Sequence, residues 1–226
     1  SRRRHTRFKC DWSSDVCSSD LSNKFVDNST NALTLTVSGT PKIATQNPFQ
    51  INTGLSYYFD GTGDYLTVPY NSLLDITSSN FTVEAWIYLT ASGSQYNIIV
   101  CGNSGGTTGW GFRVQATTGY LLFYYGGGSN LATTTAVTSN NWVHVAAVRS
   151  STTVTIYING VSSGSGTVSN GTATSASVTI GADNANGNLL VGYISNLRLI
   201  KGTAAYTSNF VPTNIPLTAV QNTALL

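Results

Sequence analysis

The chain has 226 residues and a formal net charge of +2, and only 9% of its residues are charged, against roughly 25% in an ordinary globular domain. This length is compatible with one large β domain that buries a core without disulfide bonds, and no apolar run approaches the roughly 18–20 residues of a membrane-spanning helix. The sequence contains one glutamate, Glu84, and no methionine. We therefore expect a surface made mostly of neutral hydroxyl and amide side chains.

The first 21 residues differ in composition from the rest of the chain. Ser1–Leu21 holds five of the eleven Lys and Arg residues and two of the three Cys residues. A secretory signal would need an apolar stretch after its basic start, and none follows here, while a basic arm for nucleic acid is a second interpretation. Back-translated, however, SRRRHTR and DWSSDVCSSDL (Asp11–Leu21) fit in frame the two halves of a common short-read sequencing adapter.

We therefore interpret residues 1–21 as a translated adapter, an artefactual and disordered leader from a metagenomic assembly. Without the leader, six positive and six negative residues remain, so the basic pI does not indicate a nucleic-acid partner. Cys101 is then a single cysteine, with no partner for an intrachain disulfide.

Short strands separated by turns fill the remaining sequence, with β-branched and aromatic residues in each strand. NSLLDI (Asn71–Ile76) is expected to form one short helical turn. The predicted strands, in chain order, are Ala32–Gly39, Ser56–Phe59, Asp64–Val68, Phe81–Leu89, Asn97–Gly102, Gly109–Gln115, Tyr120–Tyr125, Trp142–Arg149, Thr153–Gly160, Ser177–Gly181 and Leu189–Ile200.

Two of these strands carry the clearest patterns. FTVEAWIYL alternates, with Phe81, Val83, Ala85, Ile87 and Leu89 on one face and Thr82, Glu84, Trp86 and Tyr88 on the other. WVHVAAVR is apolar on both faces, as in a central strand of a sandwich. It is expected to form a hairpin with the next strand, TVTIYING, and Asn159-Gly160 at the end of that strand is the strongest short hairpin signal in the sequence. The whole pattern predicts an all-β, two-sheet antiparallel sandwich or barrel.

FDGTGDYLTVP, FTVEAWIYL, WVHVAAVRSSTTVTIYINGV, VTIGADN and GYISNLRL together resemble the laminin-G-like, concanavalin A-like lectin and glucanase family. The resemblance covers nearly all of Asn23–Pro212 and implies a jelly-roll sandwich. More narrowly, SNKFVDNST and GYISNLRLIKGTAAYTSNF resemble tandem modules of tailed-phage and marine bacterial surface proteins. We accordingly expect one laminin-G-like domain at residues 22–218, with residues 219–226 as the start of a linker to a next module.

Catalysis is the first function to weigh, because hydrolases with this fold use two carboxyl groups about 5–5.5 Å apart when they retain configuration. In those relatives the pair is two glutamates around an aspartate on one strand. Here Glu84 has no acidic neighbour two or four residues away, so we predict a structural carboxylate that accepts hydrogen bonds from turn backbone. The chain is therefore predicted not to be an enzyme.

His144 and Cys101 are the other reactive side chains outside the leader. His144 lies in an apolar strand without a second residue at metal-ligand spacing, so a hydrogen-bonded core or edge histidine is expected. Cys101 ends an apolar run and is predicted to be a buried, inert thiol.

Calcium is the one cofactor that the sequence suggests. FVDNSTN and GADNANGN are rich in the carboxylate and amide oxygens that Ca²⁺ prefers, with Asp27 and Asp183 as candidate ligands. The alternative is that both aspartates close turns as Asx motifs.

Carbohydrate binding is the remaining candidate activity, since sugars bind to aromatic rings flanked by polar groups. The alternative for each aromatic candidate is that its ring packs in the core of the sandwich. The candidate binding residues are Tyr96, Asn103, Trp110, Tyr124, Tyr125 and Asn130, with Tyr120 and Asp183 as further members.

We therefore predict a non-catalytic carbohydrate-binding or adhesion module of a phage tail or cell-surface protein. Its expected partners are a host-surface glycan or glycoprotein and neighbouring modules of the same chain, with no nucleic acid and no membrane, at a virion or extracellular surface. Tandem copies would raise weak affinity by avidity. The alternatives are a purely structural spacer in a virion fibre and a glycoside hydrolase.

Overall fold

A computed structural model describes residues 25–49, 54–102, 107–126, 129–185 and 187–226. The leader assigned to residues 1–21 lies outside the described residues. The strands are β1 Thr36–Ser38, β2 Lys42–Ala44, β3 Ser56–Asp60, β4 Tyr65–Val68, β5 Phe81–Leu89, β6 Tyr96–Cys101, β7 Trp110–Val114, β8 Tyr120–Tyr125, β9 Ser129–Ala136, β10 Trp142–Ser150, β11 Thr153–Ile158, β12 Val161–Thr167, β13 Val178–Ile180, β14 Val191–Lys201 and β15 Thr223–Leu225.

These strands form two antiparallel sheets, which confirms the all-β jelly-roll sandwich. The seven-stranded sheet has the order β1-β4-β13-β6-β7-β8-β9, and the larger sheet has the order β12-β11-β10-β5-β14-β3-β2, with β15 paired to β14. The predicted helical turn is a 3₁₀ helix at Ser72–Leu74, which Asn71 caps by accepting a hydrogen bond from the Leu73 amide.

The hydrophobic core lies between the two sheets and follows the period-2 alternation of the strands. In β5, the predicted inward residues Phe81, Val83, Ala85, Ile87 and Leu89 are all buried in this core. The alternate residues of β5 therefore lie on the outer face of the larger sheet, the face turned away from the other sheet.

A C-terminal segment, residues 202–218, crosses this outer face, and we call it the strap. The Ala205 amide donates to Thr82 Oγ1 over 2.8 Å, and the Phe210 amide donates to the Gly160 carbonyl over 2.9 Å. Ala146, Val148 and Tyr157 are buried beneath the strap with Tyr206 and Phe210. The strap therefore explains why β10 is apolar on both faces.

The chain beyond Thr218 also belongs to the sandwich. Thr223–Leu225 lies within the segment expected to begin a linker, but it pairs with Leu199 and Ile200 of β14 and is buried. Its apolar side chains, Ala224 and Leu225, join the main core. The larger sheet therefore continues past Thr218, and the position of the domain boundary stays a prediction.

Candidate functional site

The outer face of the larger sheet is divided into two halves with different surroundings. The strap covers one half, where Glu84 lies. The other half carries four aromatic residues that are each half-buried, Tyr58, Tyr88, Trp142 and Tyr193. We call these four residues the aromatic patch.

Strand register brings the aromatic patch together from distant parts of the sequence. Tyr193 in β14 lies directly opposite Tyr58 of β3 on one side and opposite Tyr88 of β5 on the other. Trp142 in β10 lies opposite Tyr88. Because directly opposed residues of antiparallel strands point to the same face, the four side chains form one row across four adjacent strands.

The rings of the patch touch one another and do not point separately into solvent. The Tyr58 and Tyr193 ring centroids are 4.9 Å apart. Tyr88, Trp142 and Tyr193 form a compact triangle with centroid separations of 5.7, 5.8 and 6.2 Å. Such tilted and edge-on contacts stabilise aromatic side chains in place, so the patch presents a preformed apolar surface.

Two charged residues lie at the β2–β3 end of the patch. Lys42 is exposed and is the cross-strand partner of Tyr58. Asp60 is also exposed and follows Tyr58 by two residues in β3, so it lies on the same face. One oxygen of Asp60, Oδ1, accepts a hydrogen bond from the Thr62 amide at 2.6 Å. The apolar surface therefore ends beside one hydrogen-bond donor and one acceptor.

Trp86 and His144 separate the open half of the face from the covered half. The Trp86 ring meets His144 edge-on at 5.2 Å and Phe49 at 6.4 Å. His144 in turn meets Phe210 of the strap at 5.7 Å. These rings form the border of the aromatic patch on the side of the strap.

Under the strap, Glu84 is fully buried and its two oxygens accept four hydrogen bonds. Arg198 donates to Oε1 from Nε at 2.8 Å and from Nη2 at 2.5 Å. Tyr206 Oη donates to Oε2 at 2.8 Å, and His144 Nε2 lies 3.1 Å from the same oxygen. Glu84 is thus a structural carboxylate, but its donors are side chains and not the turn backbone that the sequence suggested.

Burial alone would raise the pKa of Glu84, because a low-dielectric surrounding disfavours the charged form. The His144 hydrogen bond, the positive charge of Arg198 and the Tyr206 hydrogen bond outweigh this effect, so the pKa lies below its ordinary value. Glu84 is therefore held as a carboxylate whose acceptor positions are taken, which leaves it unsuited to proton transfer.

The residues predicted to bind sugar lie elsewhere, and three of the six are in the core. Tyr96, Trp110 and Tyr125 are inward-facing core residues, so their rings present no face to a ligand. Trp110 Nε1 donates to the Leu74 carbonyl at 2.9 Å, and Tyr125 Oη donates to the Ile76 carbonyl at 3.1 Å. Trp110 and Tyr125 lie in predicted strands beside glycine-rich sequence, and both side chains face the core.

Two pairs of predicted sugar-binding residues are cross-strand partners: Trp110 with Tyr125 in the core, and Tyr124 with Asn130 in β8 and β9. Asn130 is exposed, whereas Tyr124 is buried. The Arg113 guanidinium lies over the Tyr124 ring, 4.9 Å from its centroid. Asn103 lies outside the described residues. The predicted residues therefore do not assemble one open surface.

Asp27 and Asp183, the candidate calcium ligands, both accept hydrogen bonds within turns. Asp27 accepts from Ser29 N and Oγ, Leu33 N and Leu226 N at 2.7–2.9 Å. Asp183 accepts from Ala185 N, Gly187 N and Asn188 Nδ2 at 2.8–3.0 Å. Among the described residues no group of three or more His, Cys, Asp or Glu side chains could hold a metal ion. These donors fit the Asx alternative better than a cation, and calcium binding stays a prediction.

Cys101 is a buried free thiol, as predicted. Burial raises its pKa to about 12, with a smaller contribution from the charge of Asp75. The thiol therefore stays protonated at neutral pH and is a poor nucleophile.

The sequence does not predict the aromatic patch, because its four residues come from strands that lie far apart in the chain and meet only through the strand order. One signal was present in FTVEAWIYL, where Trp86 and Tyr88 occupy the face opposite the apolar one. Aromatic residues on the solvent side of an alternating strand are candidates for a binding surface.

Comparisons with solved structures show where this fold recurs. Domain 4 of an extracellular arabinanase from Geobacillus stearothermophilus, in complex with arabinotriose, superposes with a TM-score of 0.61 at 20% identity, over 77% of this chain and 84% of that one. A putative carbohydrate-binding protein from Bacteroides ovatus matches with a TM-score of 0.53 at 18% identity, over 85% of this chain and 50% of that one.

The binding domain of botulinum neurotoxin DC in complex with SialylT also matches, with a TM-score of 0.56 at 16% identity, over 83% of this chain and 49% of that one. The chain thus spans about half the length of the toxin and Bacteroides chains. A search of curated protein sequences gave no match.

Within the described residues, no helix is long and apolar enough to cross a membrane. A family model matches residues 60–205, well over half of the sequence. This match agrees with the jelly-roll sandwich and with the motifs that suggested it. The chain belongs to the concanavalin A-like lectin/glucanase superfamily.

Proposed function

We propose that this domain is a carbohydrate-binding module and that it binds sugar on the aromatic patch. The observation that carries the proposal is the contiguous row of half-buried Tyr and Trp rings on the half of the outer face that the strap leaves open. An open apolar surface of this kind marks an interaction site more often than chance. Tyrosine and tryptophan combine apolar faces with polar tips, which suits the C–H faces and hydroxyl groups of sugars.

Two of the structural relatives support this class of ligand. The arabinanase domain was solved with arabinotriose, and the toxin binding domain was solved with SialylT. Both are distant in sequence, so the argument for sugar binding rests mainly on the patch itself.

The surroundings of Glu84 support a domain that binds sugar without hydrolysing it. It is the one glutamate of the sequence, and the four hydrogen bonds to its oxygens hold it beneath the strap. Retaining hydrolysis would need a second carboxyl about 5–5.5 Å from the first, and the groups that contact Glu84 are Arg198, His144 and Tyr206. Hydrolysis of a bound glycan that is abolished in Glu84→Gln would contradict a purely binding role.

The biological setting extends the proposal further. We place the domain in a phage tail or cell-surface adhesion protein, outside the membrane, with tandem neighbours and a host-surface glycan as partners. The sequence resemblance supports this setting, and so does the low charge of the chain.

A glycan array probed with the full chain, with and without calcium, tests the function. We expect at least one glycan to bind, and Trp142→Ala and Tyr193→Ala to weaken it by at least about ten-fold, because truncation of a central aromatic contact commonly costs that much. Tyr70→Ala is the matched control, since Tyr70 is 50% exposed and lies outside the patch. Thermal unfolding of each variant confirms that the fold is intact.

Blank arrays under both conditions would contradict the proposal and favour a structural spacer. Wild-type affinity in both patch variants would contradict the location of the site.

A further inference from the structure

We infer that the aromatic patch recognises at least two consecutive units of a neutral glycan chain, laid across the strands, and not a single terminal sugar. This inference rests on the proposed function and specifies its ligand. Lys42 and Asp60 are assigned as the residues that hold the second unit.

The first argument is the extent of the surface. The patch begins at Tyr58 on β3 and ends at Trp142 on β10, which is three strand-to-strand steps of about 4.8 Å each. A single sugar ring is about as wide as one tyrosine ring, so it would leave most of the row uncovered. An extended ligand that runs perpendicular to the strands covers it.

The second argument is that the surface has two chemically different ends. Tyr88, Trp142 and Tyr193 form the compact triangle at one end. At the other end a single ring, Tyr58, lies beside the exposed Lys42 and Asp60. A sugar at the triangle is held by stacking, whereas its neighbour at Tyr58 receives one donor and one acceptor as well.

The third argument concerns charge. Lys42 and Asp60 carry opposite charges at the same end of the row, so their electrostatic potentials largely cancel at a ligand that lies midway between them. Glu84 and Arg198 are paired beneath the strap and contribute no unpaired charge. Sugar hydroxyls both donate and accept, so a neutral unit satisfies both side chains, whereas a charged ligand would gain no net electrostatic attraction from the pair.

Isothermal titration with two neutral series tests the inference: arabinose to arabinotetraose, and glucose to cellotetraose. We expect the disaccharide of the binding series to bind at least about ten-fold more tightly than its monosaccharide, which corresponds to about 1.4 kcal/mol. Lys42→Ala and Asp60→Ala should each remove most of this gain, so that the disaccharide then binds little more tightly than the monosaccharide. Lys42→Arg, which keeps the donor and the charge, should retain the gain.

Salt provides a second readout. The affinity for a neutral ligand should stay constant as the sodium chloride concentration rises, because no ion pair is screened. Equal affinity for monosaccharide and disaccharide would overturn the inference while leaving sugar binding intact. Equal weakening of both ligands by Lys42→Ala would overturn it as well. If no sugar of any length binds and the arrays are also blank, the proposed function itself fails.

Discussion

At the scale of single residues, Glu84 shows how a buried charge is stabilised in this chain. It is fully buried, and Arg198 donates two hydrogen bonds to one of its oxygens. Removing one member of such a pair leaves an uncompensated buried charge, which typically costs about 3–5 kcal/mol. We expect Glu84→Gln to lower the free energy of unfolding in urea by this amount.

The exposed Asp60→Asn serves as the control and should change the unfolding free energy by no more than about 0.5 kcal/mol. A Glu84→Gln variant as stable as the control would contradict the structural role.

The same residue predicts how stability depends on pH. Because the pKa of Glu84 is lower in the folded chain than its ordinary value of 4.5, the unfolded chain binds the proton more readily. The ionised Glu84 therefore contributes its full stabilisation at pH values above about 4.5. This contribution is lost as the pH falls through the lower pKa of the folded chain. Thermal unfolding of the wild type should lose stability over this acidic range, and Glu84→Gln should show a smaller loss.

Residue type alone does not show whether an aromatic side chain lies in the core or on a binding surface. Trp110 and Trp142 both begin strands next to polar or glycine-rich sequence, yet Trp110 is fully buried and Trp142 is half-buried. The difference depends on which face of the strand each side chain occupies, and a one-residue shift reverses that face. The alternation of β5 was long enough to predict its faces, whereas β7 is short and follows a glycine-rich stretch.

At the scale of elements, the turn of the β11–β12 hairpin, Asn159-Gly160, connects the larger sheet to the strap. Asn159 and Gly160 both have positive φ, at +50° and +76°, as the predicted hairpin turn requires. A Cβ atom at Gly160 would lie 1.9 Å from the Phe210 carbonyl oxygen, whereas one at Gly93, with φ of +88°, would meet nothing within 4 Å.

Substitutions at these two glycines separate steric contact from backbone strain. Gly93→Ala should cost about 1–2 kcal/mol, for a left-handed backbone conformation alone. Gly160→Ala should cost about 1–3 kcal/mol more, because the strap must move. Hydrogen exchange of residues 202–218 should then rise in Gly160→Ala and stay unchanged in Gly93→Ala. Equal unfolding free energies for the two variants would contradict the close packing of strap and hairpin.

The sequence predicts the central strands, but of the four edge strands it predicts only β1, which lies within the predicted strand Ala32–Gly39. β9 (SNLATTTA) and β12 (VSSGSGT) lack clear apolar alternation, because each lies at the end of its sheet. β2 and β15 have three residues each, too few to establish a period. Such strands are specified by pairing with a neighbour more than by their own side chains.

At the scale of the whole molecule, the candidate site is a product of topology. Tyr58, Tyr88, Trp142 and Tyr193 come from four strands spread through the sequence, and they meet because β14 lies between β3 and β5. Local patterns predicted two sheets but contain no information on this strand order. The fold class was therefore accessible from the sequence, and the shared surface was not.

The central claim is that sugar binds to the open half of the larger sheet, and amide and indole chemical shifts in ¹H–¹⁵N NMR spectra test it most directly. Titration of the full chain with a glycan identified on the array should perturb the Trp142 indole N–H and the amides around Tyr58, Tyr88 and Tyr193. The amides of the Asp183 turn and of β8, on the other sheet, should stay unchanged. Chemical-shift changes confined to the Asp183 turn and β8, with no change at the aromatic patch, would contradict the account.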